Sequence, residues 1–389
     1  MTPLERAVVD RDRCLVGERD SSRHGDDWLW LLGWADNAIE VQMMQALKAP
    51  FPWFGGKSRV ASLVWDRFGD VPNYVEPFFG SGAVLLSRPH EPNTETINDL
   101  DCFVANFWRA LQHDPEAVAF HADNPVNEAD QHARHLWLVN QPEFRETMKT
   151  DPEFYDVKIA GWWVWGQCIW IGSGWCTGVS SWSGKPFADG ALAHERLPHL
   201  GNAGRGVNRQ LPHLGDAGRG VHRKRPHLGN AGRGAVCVSD RTLGTREELL
   251  TYMRQLAERL RAVRVCCGDW SRICGPSPTI KHGITGVFLD PPYSDDADRE
   301  GGLYQADSLT VAHEVRKWAI ANGDEPLMRI ALCGYDGEHE MPDSWECVAW
   351  KAAGGYGSQA NGSGRENCNR ERIWFSPHCQ SRQKALTFA

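Results

Sequence analysis

Apolar and polar positions alternate in two distinct rhythms along this chain. Val60, Val64 and Phe68 recur at helical spacing, which predicts a helix over 58–68 closed by Gly69. Residues 73–76 read as a short buried strand and 94–99 as a second strand ending in acids. Between them lie a glycine turn and an apolar run, 83–86, that reads as a helix start. Thr245 and Glu248 fit a capping box. The helix that follows carries Leu249, Leu250, Met253, Leu256, Leu260 and Val263 on one side. Residues 286–289 form an apolar strand ending at Asp290. A helix over 309–321 has Gly323 past its end, 328–332 is a further strand, and 345–350 with 371–375 suit a terminal hairpin. Short apolar strands interleaved with amphipathic helices predict an α/β core in two blocks, 46–110 and 241–380.

The stretch between the blocks, 111–240, has another character. Trp162, Trp163, Trp165, Trp170 and Trp175 crowd one segment, where a core role is the plainer reading than a wedge into DNA. A 14-residue repeat follows, marked by Pro198, Pro212 and Pro226. Gly, Pro and His are too frequent in it, and its period too short, for a solenoid; turns or an extended loop fit better. Composition changes the picture here. The whole chain is acidic, at −8, which argues against a nucleic-acid partner. Yet residues 197–234 carry Arg205, Arg209, Arg219, Arg223, Lys224, Arg225 and Arg233 against one acid, Asp216. Such a patch suits phosphate binding as well as a solvated surface loop.

With 41% apolar and 24% charged residues, the composition is that of an ordinary globular enzyme. The 12 cysteines show neither zinc spacing nor a small disulfide framework, and free thiols in a reducing cytoplasm are the simplest account. The aromatic run 28–34 is too short to span a bilayer and follows Asp26 and Asp27 rather than positive charge. Residues 1–45 form an extension of unknown role: either a docked arm, or sequence preceding a functional start near Met43 and Met44.

Four motifs carry chemistry. Val75-Glu76-Pro77-Phe78-Phe79-Gly80-Ser81-Gly82 is a strand, a glycine turn and a helix start, a setting in which the backbone approaches a ligand. Leu85 stands where a dinucleotide site wants its third glycine, which disfavours a nicotinamide cofactor. Asp99, at the end of the second strand, suits the hydroxyls of a ribose, with Asp101 as a competitor. Phe51-Pro52-Trp53-Phe54-Gly55-Gly56-Lys57 offers two glycines for close approach and a lysine able to meet a carboxylate.

Asp290-Pro291-Pro292-Tyr293 is the most informative. An adenine amino group is a poor nucleophile because its lone pair is delocalised into the ring. A carboxylate and a backbone carbonyl that accept from its two N–H bonds favour a tetrahedral nitrogen. Pro291 and Pro292 lack a competing backbone donor, and Tyr293 suits stacking on a base rotated out of its duplex.

The order FPWFGGK, VEPFFGSG, basic insert and LDPPY resembles the Dam-type, alpha-group DNA adenine-N6 methyltransferases over roughly residues 49–377. The resemblance implies a Rossmann-like core that binds S-adenosylmethionine, with 111–240 as an inserted target-recognition region. Carried over, Trp53, Lys57, Glu76, Phe78, Gly80, Gly82, Asp99 and Asp269 are expected at the cofactor, and Asp290, Pro291, Pro292 and Tyr293 at the reacting amino group. The basic residues Arg205, Arg219, Arg223, Lys224, Arg225 and Arg233 are expected on DNA. No metal is implied. Double-stranded DNA is the expected partner, and a cognate restriction endonuclease another. The repeats and the tryptophan-rich stretch depart from the family pattern. Cytosine-N4 or RNA adenine methylation would use a similar site, and a non-catalytic DNA-binding relative is the reading from another class. A cytosine-C5 enzyme would want a Pro-Cys nucleophile, which the chain lacks.

Overall fold

The computed structural model describes residues 47–53, 55–170, 175–176, 246–292, 310–351 and 370–381. The N-terminal 46 residues, Tyr293, the 14-residue repeats and all six basic residues expected on DNA lie outside them.

The elements run α1 (Ala61–Phe68), β1 (Asn73–Glu76), β2 (Thr94–Asp99), α2 (Cys102–His113), α3 (Pro115–Ala122), α4 (Glu128–Val139), α5 (Phe144–Thr150), α6 (Val157–Ile169), α7 (Arg246–Leu260), β3 (Arg264–Cys267), β4 (Thr285–Leu289), α8 (Val311–Asn322), β5 (Met328–Tyr335), β6 (Glu346–Ala349) and β7 (Glu371–Phe375). The seven strands form one sheet in the order β3-β2-β1-β4-β5-β7-β6. β3, β2, β1, β4 and β5 are parallel. β7 inserts antiparallel between β5 and β6. This is the expected α/β, Rossmann-like architecture, completed by the terminal hairpin.

β1 is the hinge of the topology. It is buried at all four residues and lies between β2, its neighbour in sequence, and β4, with Asn73 opposite Thr285. The order of strands reverses there, and doubly wound sheets open a crevice beyond the carboxyl ends at such a point. The Asn73 amide fastens the opposite end of the sheet by donating to Pro278 O (2.8 Å) and Thr285 Oγ1 (2.9 Å).

α2 covers the sheet with ten buried residues, and its Asp101 cap accepts from Phe103 N at 2.8 Å. α6 is apolar on all sides; it packs on α2 and α3, with Trp163 and Trp165 inside. That is the core role expected of this stretch, although Trp162 and Trp170 are only half-buried. α7 turns Leu249, Met253, Leu256 and Leu260 inward. No helix among the described residues is long and apolar enough to cross a membrane.

Two elements depart from the sequence pattern. The expected helix at 83–86 is a single 3-10 turn, Leu85–Ser87, because Arg88-Pro89 follows and the residue before proline disfavours helical geometry. β3 lies outside the strands that the pattern predicts; it is an edge strand whose first residue is exposed, too weakly patterned to stand out.

Candidate functional site

Carboxylates collect at the carboxyl ends of the parallel strands. Glu76 ends β1, Asp99 ends β2, Asp269 follows β3 by one residue after Gly268, and Asp290 follows β4 directly. All four line one cleft, together with Asp101 and Glu314, and Lys57 is the only cationic side chain among its described walls. The cleft's free space is about 1120 Å³ counted out to its open mouth, large enough for a nucleoside-sized ligand.

The glycine turn after β1 forms its floor. Gly80 and Gly82 adopt positive φ, +49° and +71°. A Cβ on Gly80 would come within 2.4 Å of the Trp53 indole nitrogen, so Trp53 lies directly against this backbone. Phe79 N donates to Asn98 O at 3.0 Å, and Trp108 Nε1 donates to Gly80 O at 2.9 Å. The Asn98 side chain ties the turns after β1 and β3 by donating to Pro77 O (3.1 Å) and Gly268 O (2.9 Å). Phe78 and Trp270 stack at 6.3 Å between centroids on the cleft wall.

Asp99 accepts from Gly80 N (2.9 Å) through one oxygen and from Asp101 N (2.9 Å) through the other. Burial, then the neighbouring Asp101, lifts its carboxyl to about 7, against these backbone bonds. Asp101 is pushed up to about 6, chiefly by burial. Glu76 accepts from Tyr74 Oη at 2.8 Å and sits well above the usual carboxylate range because it is buried. Asp269 caps the turn Trp270–Ile273 through Ser271 N and is exposed.

At Asp290 the electrostatics change. Lys57 Nζ meets Asp290 Oδ1 at 2.8 Å and also donates to Gly55 O at 2.7 Å. The Trp350 ring centroid lies 5.6 Å from the same ammonium. Burial raises the Asp290 carboxyl, and Lys57 opposes that rise. Lys57 in turn is held protonated: burial works against its charge, but Asp290 and then Glu371 outweigh it.

Trp53, Lys57, Glu76, Phe78, Gly80, Asp99, Asp269, Asp290 and Pro292 thus line one cleft, with Gly82 and Pro291 beside it. Sequence reasoning weighed Asp101 only as a competitor to Asp99; both line the cleft, and the Asp-Leu-Asp spacing was the available signal. It missed Asn98, Trp270 and Glu314. Asn98 and Trp270 each adjoin an acid that was named, whereas nothing local marks Glu314. Among the described residues, no three His, Cys, Asp or Glu side chains are grouped to hold a metal ion.

Residues 53–157 match the family of D12 class N6 adenine-specific DNA methyltransferases. The matched segment holds Trp53, Lys57, Glu76, Phe78, Gly80, Gly82 and Asp99 but ends well before Asp290. A DNA N-6-adenine-methyltransferase of Escherichia phage P1 is 29% identical over 68 residues, which is 18% of this chain and 9% of that protein. The shared stretch is therefore under a tenth of the relative's length.

Proposed function

We propose, from the D12 class match at residues 53–157, that this chain is a DNA methyltransferase that modifies N6 of adenine and takes its methyl group from S-adenosylmethionine. The observation that carries this reading is the Lys57–Asp290 ion pair. It joins the family-matched segment to an Asp-Pro-Pro-Tyr sequence 233 residues away, outside the match.

The cofactor fits the charge of the cleft. Six acidic side chains stand among its described walls, and the one lysine among them is already paired. A pyrophosphate would be repelled from such walls, whereas a ligand with ammonium and sulfonium groups is attracted. S-adenosylmethionine, when bound, supplies an electrophilic methyl group on its sulfonium. Asp99 and Asp101 are suited to ribose hydroxyls, Phe78 and Trp270 to a flat heterocycle, and Glu76 with the Gly80 turn to the amino-acid end.

Asp290 accepts from the exocyclic amino group with the oxygen that Lys57 leaves available, and the Pro291 carbonyl accepts the second N–H bond. Both acceptors localise the nitrogen lone pair. Tyr293 stacks on the extruded base, which is more easily rotated out when the pocket offers an aromatic face. The reaction needs no covalent bond to the enzyme. The basic stretch 197–234 supplies phosphate contacts that offset the acidity of the rest of the chain. The free thiols fit a reducing cytoplasm, and a cognate endonuclease is a proposed second protein.

The test is methyl transfer from labelled S-adenosylmethionine to unmethylated DNA, followed by nucleoside analysis. Label in N6-methyldeoxyadenosine is the expected result. Label in N4-methyldeoxycytidine would overturn the base assignment, and bound cofactor without transfer would overturn the reaction.

A further inference from the structure

Two buried thiols meet just behind the cleft wall. Cys102 opens α2 immediately after Asp101, and Cys267 ends β3 immediately before Gly268. Their sulfurs are 3.7 Å apart, with the Cys267 thiol donating toward Cys102. Neither residue lines the cleft, but their chain neighbours Asp101 and Gly268 do. The methyl-transfer chemistry uses neither sulfur.

We infer that Cys102 and Cys267 form an oxidisable dithiol, a modification site for two-electron oxidants such as peroxides, and that closing it to a disulfide weakens methyl-donor binding. The second half of this inference rests on the donor site proposed above; the first does not.

Three observations support it. The first is reach. A disulfide places its sulfurs about 2.05 Å apart, so a closure of under 2 Å at sulfur, shared between side-chain rotation and the backbone that carries the two residues, completes the bond. The second is the setting of Cys102. It lies in the first turn of a 12-residue helix. The hydrogen bond from Cys267 is the largest influence drawing the Cys102 thiol below its ordinary range; burial and then the Asp101 charge oppose it, and Lys149 and Arg145 add to the lowering. The same bond, with burial, raises Cys267. Its place at a helix N-terminus suits Cys102 to attack, leaving Cys267 to resolve. Arg109 fixes the frame around them, donating to Val265 O of β3 (3.2 Å) from α2.

The third observation is what the bond would pull on. Gly268 N donates to Asp99 O at 3.2 Å, and Gly268 O accepts from Asn98 at 2.9 Å. Gly268 has φ +143° and both its backbone groups are bonded, so this turn has little slack. Drawing Cys267 toward Cys102 displaces Gly268 against the Asp99–Asp101 turn, where the ribose acceptors sit.

The chemistry balances. The Cys102 thiolate attacks a peroxide oxygen, the O–O bond breaks, and a sulfenic acid forms with release of one water. The Cys267 sulfur then displaces the second oxygen as water, forming the S–S bond. Two thiols are oxidised, one peroxide is reduced, and a dithiol reductant reverses the change.

The test treats the reduced full-length chain with hydrogen peroxide, maps cross-linked peptides without reduction, and titrates S-adenosylmethionine before and after. A Cys102–Cys267 cross-link is expected, with a several-fold loss of donor affinity restored by reductant. Cys102→Ser and Cys267→Ser should bind donor as the reduced chain does and resist the peroxide effect; Cys347→Ser, at an exposed position, should remain sensitive. Oxidation that yields other pairs or only sulfinic acids would overturn the site. A mapped Cys102–Cys267 bond with unchanged affinity would overturn its effect. Peptide mapping on the unmutated chain decides the first point even if a serine variant misfolds. If the reduced chain binds no donor, the methyltransferase reading fails separately, while the mapping still decides the dithiol.

Discussion

The two ends of the cleft use the same residue type in opposite ways. Around β2, Asp99 and Asp101 are half-buried carboxylates held by backbone N–H groups; no cationic side chain stands among the described residues of the cleft wall beside them, Arg145 acts on Asp101 from outside that wall, and both titrate above the usual range. After β4, Asp290 is likewise half-buried but carries its own ammonium at 2.8 Å. The first end is left electrically incomplete, and a ligand's hydroxyl groups or positive charge complete it. The second end is neutralised in advance, which suits a carboxylate that must stay ionised and aimed while it receives an uncharged amino group. Burial alone pushes a carboxyl toward protonation, and a fixed counter-charge restores the acceptor.

The sharpest way to break that comparison is Asp290→Ala. Methyl transfer should fall by about 10³-fold or more while donor binding, measured by calorimetry, stays close to that of the unmutated chain. Equal loss of both would put Asp290 at the donor end instead. Lys57→Met comes next. Without the ammonium, burial acts unopposed, so the Asp290 carboxyl rises and is protonated at pH values where it was previously ionised. The acid limb of the kcat profile should move upward by about 1–3 pH units, and activity should recover at high pH. A uniform loss at every pH would mean that Lys57 does not tune Asp290.

At the donor end, Gly80→Ala should cost about 1–2 kcal/mol of stability, from the positive φ, and should lower donor affinity because its methyl group collides with Trp53. Thermal melts read the first effect and titration the second. Asp99 predicts a milder but distinctive pH effect. Its folded carboxyl titrates near 7, above its unfolded value, so the free protein gains stability as pH falls through about 7 toward the unfolded range. Donor affinity should fall over the same interval, by about ten-fold for a lost charged hydrogen bond. Asp99→Asn should flatten both curves, and opposed trends that persist in the variant would point to Asp101. Away from the cleft, neutralising Arg219, Arg223, Lys224 and Arg225 should reduce the salt slope of DNA binding by about 0.9 for each phosphate that is no longer paired with a cation. An unchanged slope would separate the basic stretch from DNA.

The parts of the fold legible in the sequence are those where burial writes a simple rhythm. β4 sits in the middle of the sheet and reads as a short apolar run, and β1 and β2 beside it read as short strands ending in acids. α7 has one wet face and one dry face and shows it. α6 is buried nearly all round, so its tryptophans carry no helical period to read. At the cleft, the acids at strand ends could be placed by local context, because a strand followed by Asp or Glu is a pattern of neighbours in sequence. The Lys57–Asp290 pair could not, since it joins the segment before α1 to the end of β4, far apart in sequence. Nor could the contact between Cys102 and Cys267, which follows from β3 pairing with β2 in parallel register, Asp99 against Cys267.

The pairing of Asn73 with Thr285 has a consequence for how the protein is made. β1 emerges from the ribosome more than two hundred residues before the partner that covers its second edge. Until then β1 has its β2 side alone to bond with, and contacts between such distant segments form slowly. An open, apolar strand edge invites pairing with another nascent chain. Slower synthesis or lower growth temperature should therefore favour soluble yield, and a chain interrupted before Asp290 would have neither a closed sheet nor a charge for Lys57 to meet.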